Sequence, residues 1–229
     1  SSAASDVYKR QGFYTTGDNN WFYADSHGHN VTGAQFINGQ DLYFESTGKQ
    51  VKGDFVTNPD GTRSFYHWNT GDKLVSTFFT TGNDKWYYAD AKGHVVTGAQ
   101  VINGQKLYFG ADGKQVKGGF APNANGTRSF YHGATGDKLV STFFTSGDNN
   151  WYYADAKGEV VVGEQTINGQ HLYFDQTGRQ VKGATASNPD GSISYYDVHT
   201  GDKAVNRWIK IPSGQWVYFN AQGKGYVSN

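Results

Sequence analysis

Four tryptophans recur at a fixed interval: Trp21, Trp86, Trp151 and Trp216 each stand 65 residues after the one before. A chain with that regularity is an array of copies rather than one irregular globule. An array also presents one surface several times, so weak contacts can add up along a polymeric partner.

A finer period lies inside the 65. Aromatic pairs recur every 21 or 22 residues, at Phe22-Tyr23, Tyr43-Phe44, Phe65-Tyr66 and Tyr87-Tyr88, and so on to Tyr195-Tyr196, with a last step of 23 to Tyr218-Phe219. Each pair is followed after four or five residues by a glycine (Gly28, Gly48, Gly71, Gly93), and three residues later by Val31, Val51, Leu74 or Val96. Aromatic strand, glycine turn and aliphatic strand make a β-hairpin. Segments such as Asp25-Ser-His-Gly28 supply an early acid and a glycine for positive φ. No stretch carries helical periodicity. An isolated hairpin is marginal in water, so ten units of 20–22 residues must stack to bury a core. The expected fold is therefore all-β, a β-solenoid of about ten stacked hairpins over residues 12–229. Ser1 to Gln11 are polar, fall outside the repeat and read as a linker or frayed end.

The three hairpins within each long repeat differ. The first carries Trp-Phe/Tyr-Tyr-Ala-Asp and leads through Ile-Asn-Gly-Gln, a tight-turn signal. The second ends in Lys/Arg-Gln-Val-Lys-Gly, at Lys49 to Gly53, Lys114 to Gly118 and Arg179 to Gly183. The third has Thr-Arg-Ser-Phe-Tyr-His in two copies and lacks such a pair. Gln50 and Lys52, two apart on an extended chain, share one face with Val51 on the other, and Gln115 with Lys117 and Gln180 with Lys182 repeat the pattern. With valine in the core, the polar pair is expected to face out. Trp21 and Tyr23 likewise share a face. An aromatic plate beside an amide and an ammonium suits a sugar, whose C–H face packs on the ring while its hydroxyls meet donors and acceptors. The same residues also have a plain reading, as solvated decoration or as lysines guarding strand edges.

Composition narrows the partner. Twenty basic and twenty acidic side chains cancel, so nothing draws the chain to phosphate backbones or anionic lipid. No apolar run approaches the roughly 18–20 residues of a membrane span. Cysteine is absent, so no disulfide or thiolate metal site is expected. Methionine is absent even at position 1, and no signal peptide is visible, which reads as a segment of something longer. The acids sit mostly in turns and no pair is marked for glycosidase chemistry. Seven histidines form no metal or triad pattern, and no nucleotide-type glycine loop occurs. The segment is expected to be non-catalytic and free of cofactors and metals.

The run Trp86 to Gly98, followed by Ile-Asn-Gly-Gln-Lys-Leu-Tyr-Phe and Lys-Gln-Val-Lys-Gly, resembles the cell-wall and glucan-binding repeats of glucansucrases from lactic acid bacteria and oral streptococci. The superfamily includes choline-binding modules and clostridial toxin repeats, and the resemblance covers about residues 12 to 229. It implies a secreted or cell-surface β-solenoid binding α-glucan such as dextran, attached to a glucosyltransferase in the same chain or standing in a non-catalytic glucan-binding protein. It further implies pockets of a stacking aromatic with a Gln-x-Lys pair. These fall on Tyr23 with Gln50 and Lys52, Tyr88 with Gln115 and Lys117, and Tyr153 with Gln180 and Lys182, with Trp21, Trp86 and Trp151 as the nearest substitutes for the tyrosines. In the third copy Val162 and Glu164 replace a threonine and an alanine, which puts that pocket in question. Choline modules place tryptophan after the closing Thr-Gly; here Ala34, Ala99 and Glu164 stand there, and only Trp208 to Trp216 looks choline-like. A spacer without ligand is the other alternative.

Overall fold

The computed structural model describes residues 11–17, 20–82 and 85–227. Ser1 to Arg10, most of the expected linker, lie outside the described residues. Twenty short strands pair consecutively as ten two-stranded sheets, and no helix occurs among the described residues. The pairs are β1 (Gly12–Thr15) with β2 (Trp21–Ala24), β3 (Gly33–Ile37) with β4 (Gln40–Phe44), β5 (Asp54–Thr57) with β6 (Arg63–Tyr66), β7 (Thr77–Thr81) with β8 (Lys85–Ala89), and β9 (Gly98–Ile102) with β10 (Gln105–Phe109). They continue as β11 (Gly119–Pro122) with β12 (Arg128–Tyr131), β13 (Thr142–Thr145) with β14 (Trp151–Ala154), β15 (Gly163–Ile167) with β16 (Gln170–Phe174), β17 (Ala184–Ser187) with β18 (Ile193–Tyr196), and β19 (Arg207–Lys210) with β20 (Trp216–Phe219).

The hairpin phase differs from the sequence expectation. Each aromatic strand closes a hairpin instead of opening one. In β3–β4 the tip is Asn38-Gly39, both at positive φ (51° and 83°), the type I′ geometry that matches strand twist, and the register runs from Gly33 opposite Phe44 to Ile37 opposite Gln40. The turn after the aromatic strand is real but brief. Asp25 Oδ1 accepts the backbone N–H of His27 (2.8 Å) and His29 (2.9 Å), Ala24 bridges Asn30, and Val31 N–H donates to Tyr23 O at 3.0 Å. Gly33, at φ 70°, starts the next hairpin two residues later, so the aliphatic return never lengthens into a strand.

Two compact units divide the chain, Ser1–Gln100 with Phe109–Gln115, and Val101–Tyr108 with Val116–Asn229. In the first, from the second hairpin on, each return segment is shared between its own hairpin and the one before. Gln50 N–H donates to Trp21 O (2.7 Å), Lys73 N–H to Asp41 O (2.8 Å), Val95 N–H to Arg63 O (2.7 Å) and Gln115 N–H to Trp86 O (2.8 Å). The second unit repeats the scheme with Lys138 to Lys106 (2.9 Å), Val160 to Arg128 (2.8 Å), Gln180 to Trp151 (2.7 Å), Lys203 to His171 (2.9 Å) and Gly225 to Ile193 (2.8 Å). These bonds occupy polar groups that two-stranded ribbons leave open at their edges.

Aromatic residues form much of the core. In the first unit Phe65 stacks on Phe79 (4.6 Å between ring centres) and Phe79 on Tyr87 (5.3 Å), with Phe55 edge-on to Phe65 at 4.9 Å. The second unit repeats this with Phe130, Phe144, Tyr152 and Phe120 at 4.5, 5.4 and 5.0 Å. Arg63 and Arg128 lie over Phe55 (4.5 Å) and Phe120 (3.9 Å), and each donates onward to a turn carbonyl, Asp112 O and Thr177 O.

Candidate functional site

The bond from Gln50 N–H to Trp21 O draws the Gln-Val-Lys segment alongside the start of β2. Trp21 keeps 40% of its surface exposed, and Lys52 Nζ sits 4.8 Å from its ring centre. Such a contact contributes about 0.5–1 kcal/mol at an exposed site. Lys52 Nζ also donates to Asn69 O at 3.0 Å, and Gln50 Nε2 to Thr70 O at 3.2 Å. Burial pushes the Lys52 ammonium down from its ordinary pKa. Trp21, Tyr43, Gln50, Lys52 and Thr57 line a hollow of about 460 Å³.

The third repeat builds the same arrangement within the second unit. Lys182 Nζ lies 5.7 Å from the Trp151 ring and donates to His199 O at 3.3 Å. Trp151, Phe143, Gln170, Gln180, Lys182 and Thr200 line a hollow of about 230 Å³. In the middle repeat the backbone bond from Gln115 to Trp86 O is present in the first unit, and the half-buried Lys117 belongs to the second.

Tryptophan, not tyrosine, is the ring beside the glutamine and lysine in the first and third repeats. Tyr23 lies edge-on to Phe13 at 4.9 Å and packs against Ile37, Leu42 and Phe44; Tyr153 meets Phe143 at 4.8 Å and packs against Ile167, Leu172 and Phe174; Tyr88 meets Phe78 at 4.8 Å. Phe13 also touches Trp21, so the shared face expected for Trp21 and Tyr23 exists, with the tyrosine one layer in. The polar pair does not simply face out either. Gln50 is only 5% exposed, because the Thr70–Gly71 turn lies over it and its amide satisfies that turn. Sequence spacing carried no signal for this cover, since the turn lies twenty residues downstream.

Glu164 is absent from the Trp151 hollow. Its Oε1 accepts from Lys203 Nζ at 2.6 Å and from the Tyr196 hydroxyl at 3.1 Å, in a separate hollow with His171 and Gln165. The hydrogen bond from Lys203 holds this carboxyl below the usual glutamate range. Elsewhere carboxylates serve turns, as Asp25, Asp90 and Asp155 do by accepting backbone N–H groups. Among the described residues no three His, Asp or Glu side chains gather as a metal site, and no helix is long and apolar enough to cross a membrane.

The choline-binding repeat model matches residues 31–78, 96–143 and 161–208, more than half of the chain and in step with the 65-residue period. The chain belongs to the choline-binding repeat family. A second model, a putative cell wall binding repeat, matches residues 76–94, 141–160 and 206–224 of this choline-binding repeat chain. Glucosyltransferase-S of Streptococcus mutans serotype c is 39% identical over 89% of this chain and 14% of its own length. Glucosyltransferase-I of the same organism is 45% identical over 87% of this chain and 13% of its own. The chain thus spans about a seventh of these relatives. Among solved structures, the choline-binding domain of CbpL from Streptococcus pneumoniae shares the fold, with a TM-score of 0.62 at 19% identity over 87% of this chain and 99% of that one.

Proposed function

We propose that this chain is a non-catalytic carbohydrate-binding module that holds α-glucan of the dextran type through repeated shallow pockets. The observation that supports it best is the exposed indole flanked by glutamine and lysine in both the first and third repeats. The indole packs the C–H face of a pyranose. Lys52 uses one of its three N–H groups on Asn69 O, leaving two for sugar hydroxyls. Gln50 holds the turn that fixes this lysine. In this proposal the ten hairpins continue as one β-solenoid over residues 12–229, with the Trp21 and Trp151 pockets two 65-residue repeats apart in the sequence. A glucan bridging them gains from effective concentration, by orders of magnitude where the spacing fits. The repeats and the glucosyltransferase relatives favour a secreted or cell-surface module, carried in the same chain as a glucosyltransferase domain and keeping polymer near it.

Electrophoresis through gels containing dextran tests this. The wild-type chain is retarded, Trp21→Ala and Trp151→Ala each reduce retardation several-fold, and the double variant migrates almost as in a blank gel. Choline-agarose run in parallel does not retain the protein. Retention on choline with no retardation by dextran overturns the proposal in favour of a quaternary-ammonium site, and neither response leaves a spacer.

A further inference from the structure

Positions 34, 99 and 164 of the three long repeats read Ala, Ala and Glu, and positions 41, 106 and 171 read Asp, Lys and His. In the third repeat Glu164 reaches across from β15 to a phenol and an ammonium directly opposite each other, since Tyr196 bridges Lys203. His171, on β16, lies near enough to favour the charged carboxylate, and the group opens on a hollow of about 290 Å³. The protein has here placed its own carboxylate in a seat made of a hydroxyl, an ammonium and an imidazole.

The middle repeat has the seat without the carboxylate. Tyr131 bridges Lys138, as Tyr196 bridges Lys203. Tyr108 lies 5.9 Å from Tyr131, as Tyr173 lies 5.5 Å from Tyr196. The backbone stitch from Lys138 to Lys106 O (2.9 Å) matches that from Lys203 to His171 O (2.9 Å). The lysine stems are held alike. A Cβ on Gly158 would lie 2.5 Å from Lys138 Cε, and one on Gly223 2.8 Å from Lys203 Cε, so each stem runs close against a turn glycine. Burial pushes the Tyr131 phenol up, which keeps it a proton donor. At the repeat position of His171 the middle repeat carries a lysine, Lys106, and at that of Glu164 it carries Ala99.

We propose that Tyr131, Lys138 and Lys106 form a receptor for the carboxylate of a hexuronic acid, so that the module takes acidic as well as neutral saccharide. Asp137 Oδ1 is taken by the backbone N–H of Lys106 (2.9 Å), as Asp202 Oδ1 is by that of His171 (2.8 Å) beside Glu164, and the hydroxyl and two ammonium groups that remain can all donate, which fits a carboxylate carried on a hydroxyl-rich frame. The same unit already presents Trp151 and Lys182, groups suited to saccharide. The first repeat is built against such a ligand: Asp41 stands where Lys106 stands, and its charge already bears on Tyr66. The third is filled from within. One receptor per chain follows.

Amide NMR titration of the whole chain tests this, with methyl glucuronide, methyl glucoside, acetate and a short glutamate peptide as probes. Methyl glucuronide is expected to shift the amides of Lys106 and Lys138, with an apparent Kd at least tenfold below that of each other probe. Lys138→Met and Tyr131→Phe each weaken it about tenfold, the scale of one charge-assisted hydrogen bond. Lys106→Asp does so at an exposed site with the residue the first repeat already uses, which separates loss of binding from loss of fold. Glu164→Ala adds a second receptor, seen as uronide-dependent shifts at His171 and Lys203. Equal response to glucoside, acetate or peptide, or indifference to Lys106→Asp and Lys138→Met, overturns the proposal. Retardation by dextran is unchanged in Lys106→Asp, so failure of this seat and failure of the tryptophan pockets read out separately.

Discussion

Replacing single turn glycines by alanine separates backbone strain from the contact that builds the site. Gly39, Gly201 and Gly71 all have positive φ (83°, 74° and 73°), so each substitution carries about 1 kcal/mol of left-handed strain. At Gly39 a new Cβ meets nothing within 4 Å, and strain is the whole cost. At Gly71 the Cβ would lie 2.3 Å from Gln50 Nε2, and the amide must leave. Gln50 is 5% exposed and donates to Thr70 O, so its displacement strands a buried amide for about a further 1–3 kcal/mol. At Gly201 the same 2.3 Å approach is to Gln180, which is half-buried and can turn toward water at less cost. The expected order of destabilisation is Gly39→Ala at about 1 kcal/mol, Gly201→Ala at about 2, and Gly71→Ala at about 3. Urea unfolding followed by tryptophan fluorescence measures it, each variant being compared with wild type in the same transition. Gly71→Ala no worse than Gly39→Ala would refute the claim that Gln50 is clamped beneath this turn.

Arg128→Ala loses the guanidinium over Phe120 and its bond to Thr177 O, and should cost about 1–2 kcal/mol in the same urea assay, whereas Arg207→Ala, half-exposed and 3.8 Å from Asp197, should cost under about 0.5. Glu164 has a folded pKa below its ordinary 4.5, so the stability it adds is full above that value and is lost as pH falls through the folded pKa. The pair is largely exposed on the carboxylate side, so wild type should exceed Glu164→Gln by about 0.2–1 kcal/mol at pH 7, with the gap closing toward pH 3; a gap that widens on acidification contradicts the assignment.

The repeat length, the all-β class and the Asn-Gly turns were legible in the sequence because each rests on local chemistry. Asn38-Gly39 needs two positive φ values in succession, and few other pairs supply them cheaply. The phase of the hairpins was not legible. Tyr23 to Val31 carries the marks of a hairpin and does form its turn, but Gly33 redirects the chain before a strand can lengthen, and nothing in the spacing says which of two flanking turns will carry the ladder. The choice of tryptophan over tyrosine was hidden for a related reason. Both rings share one face of β2, and only the stitch from Gln50 to Trp21, 29 residues apart, decides which of them meets the lysine.

That stitch also explains why the candidate pocket and the fold use the same residues. The backbone of Gln50 fastens its segment to the preceding hairpin, its side chain fastens the following turn, and Lys52 is left between an indole and the Asn69 carbonyl. A glutamine there serves packing whether or not sugar binds, so its recurrence at 50, 115 and 180 is weak evidence for a ligand. The tryptophan is different. Trp21 and Trp151 leave 40% and 45% of their surface in solvent, beside a lysine that can still donate, and the uncovered part of each ring adds nothing to the buried core. Evidence for binding therefore rests on the rings that stay uncovered. The substitutions that should separate binding from stability are those at Trp21 and Trp151, not those at the glutamines.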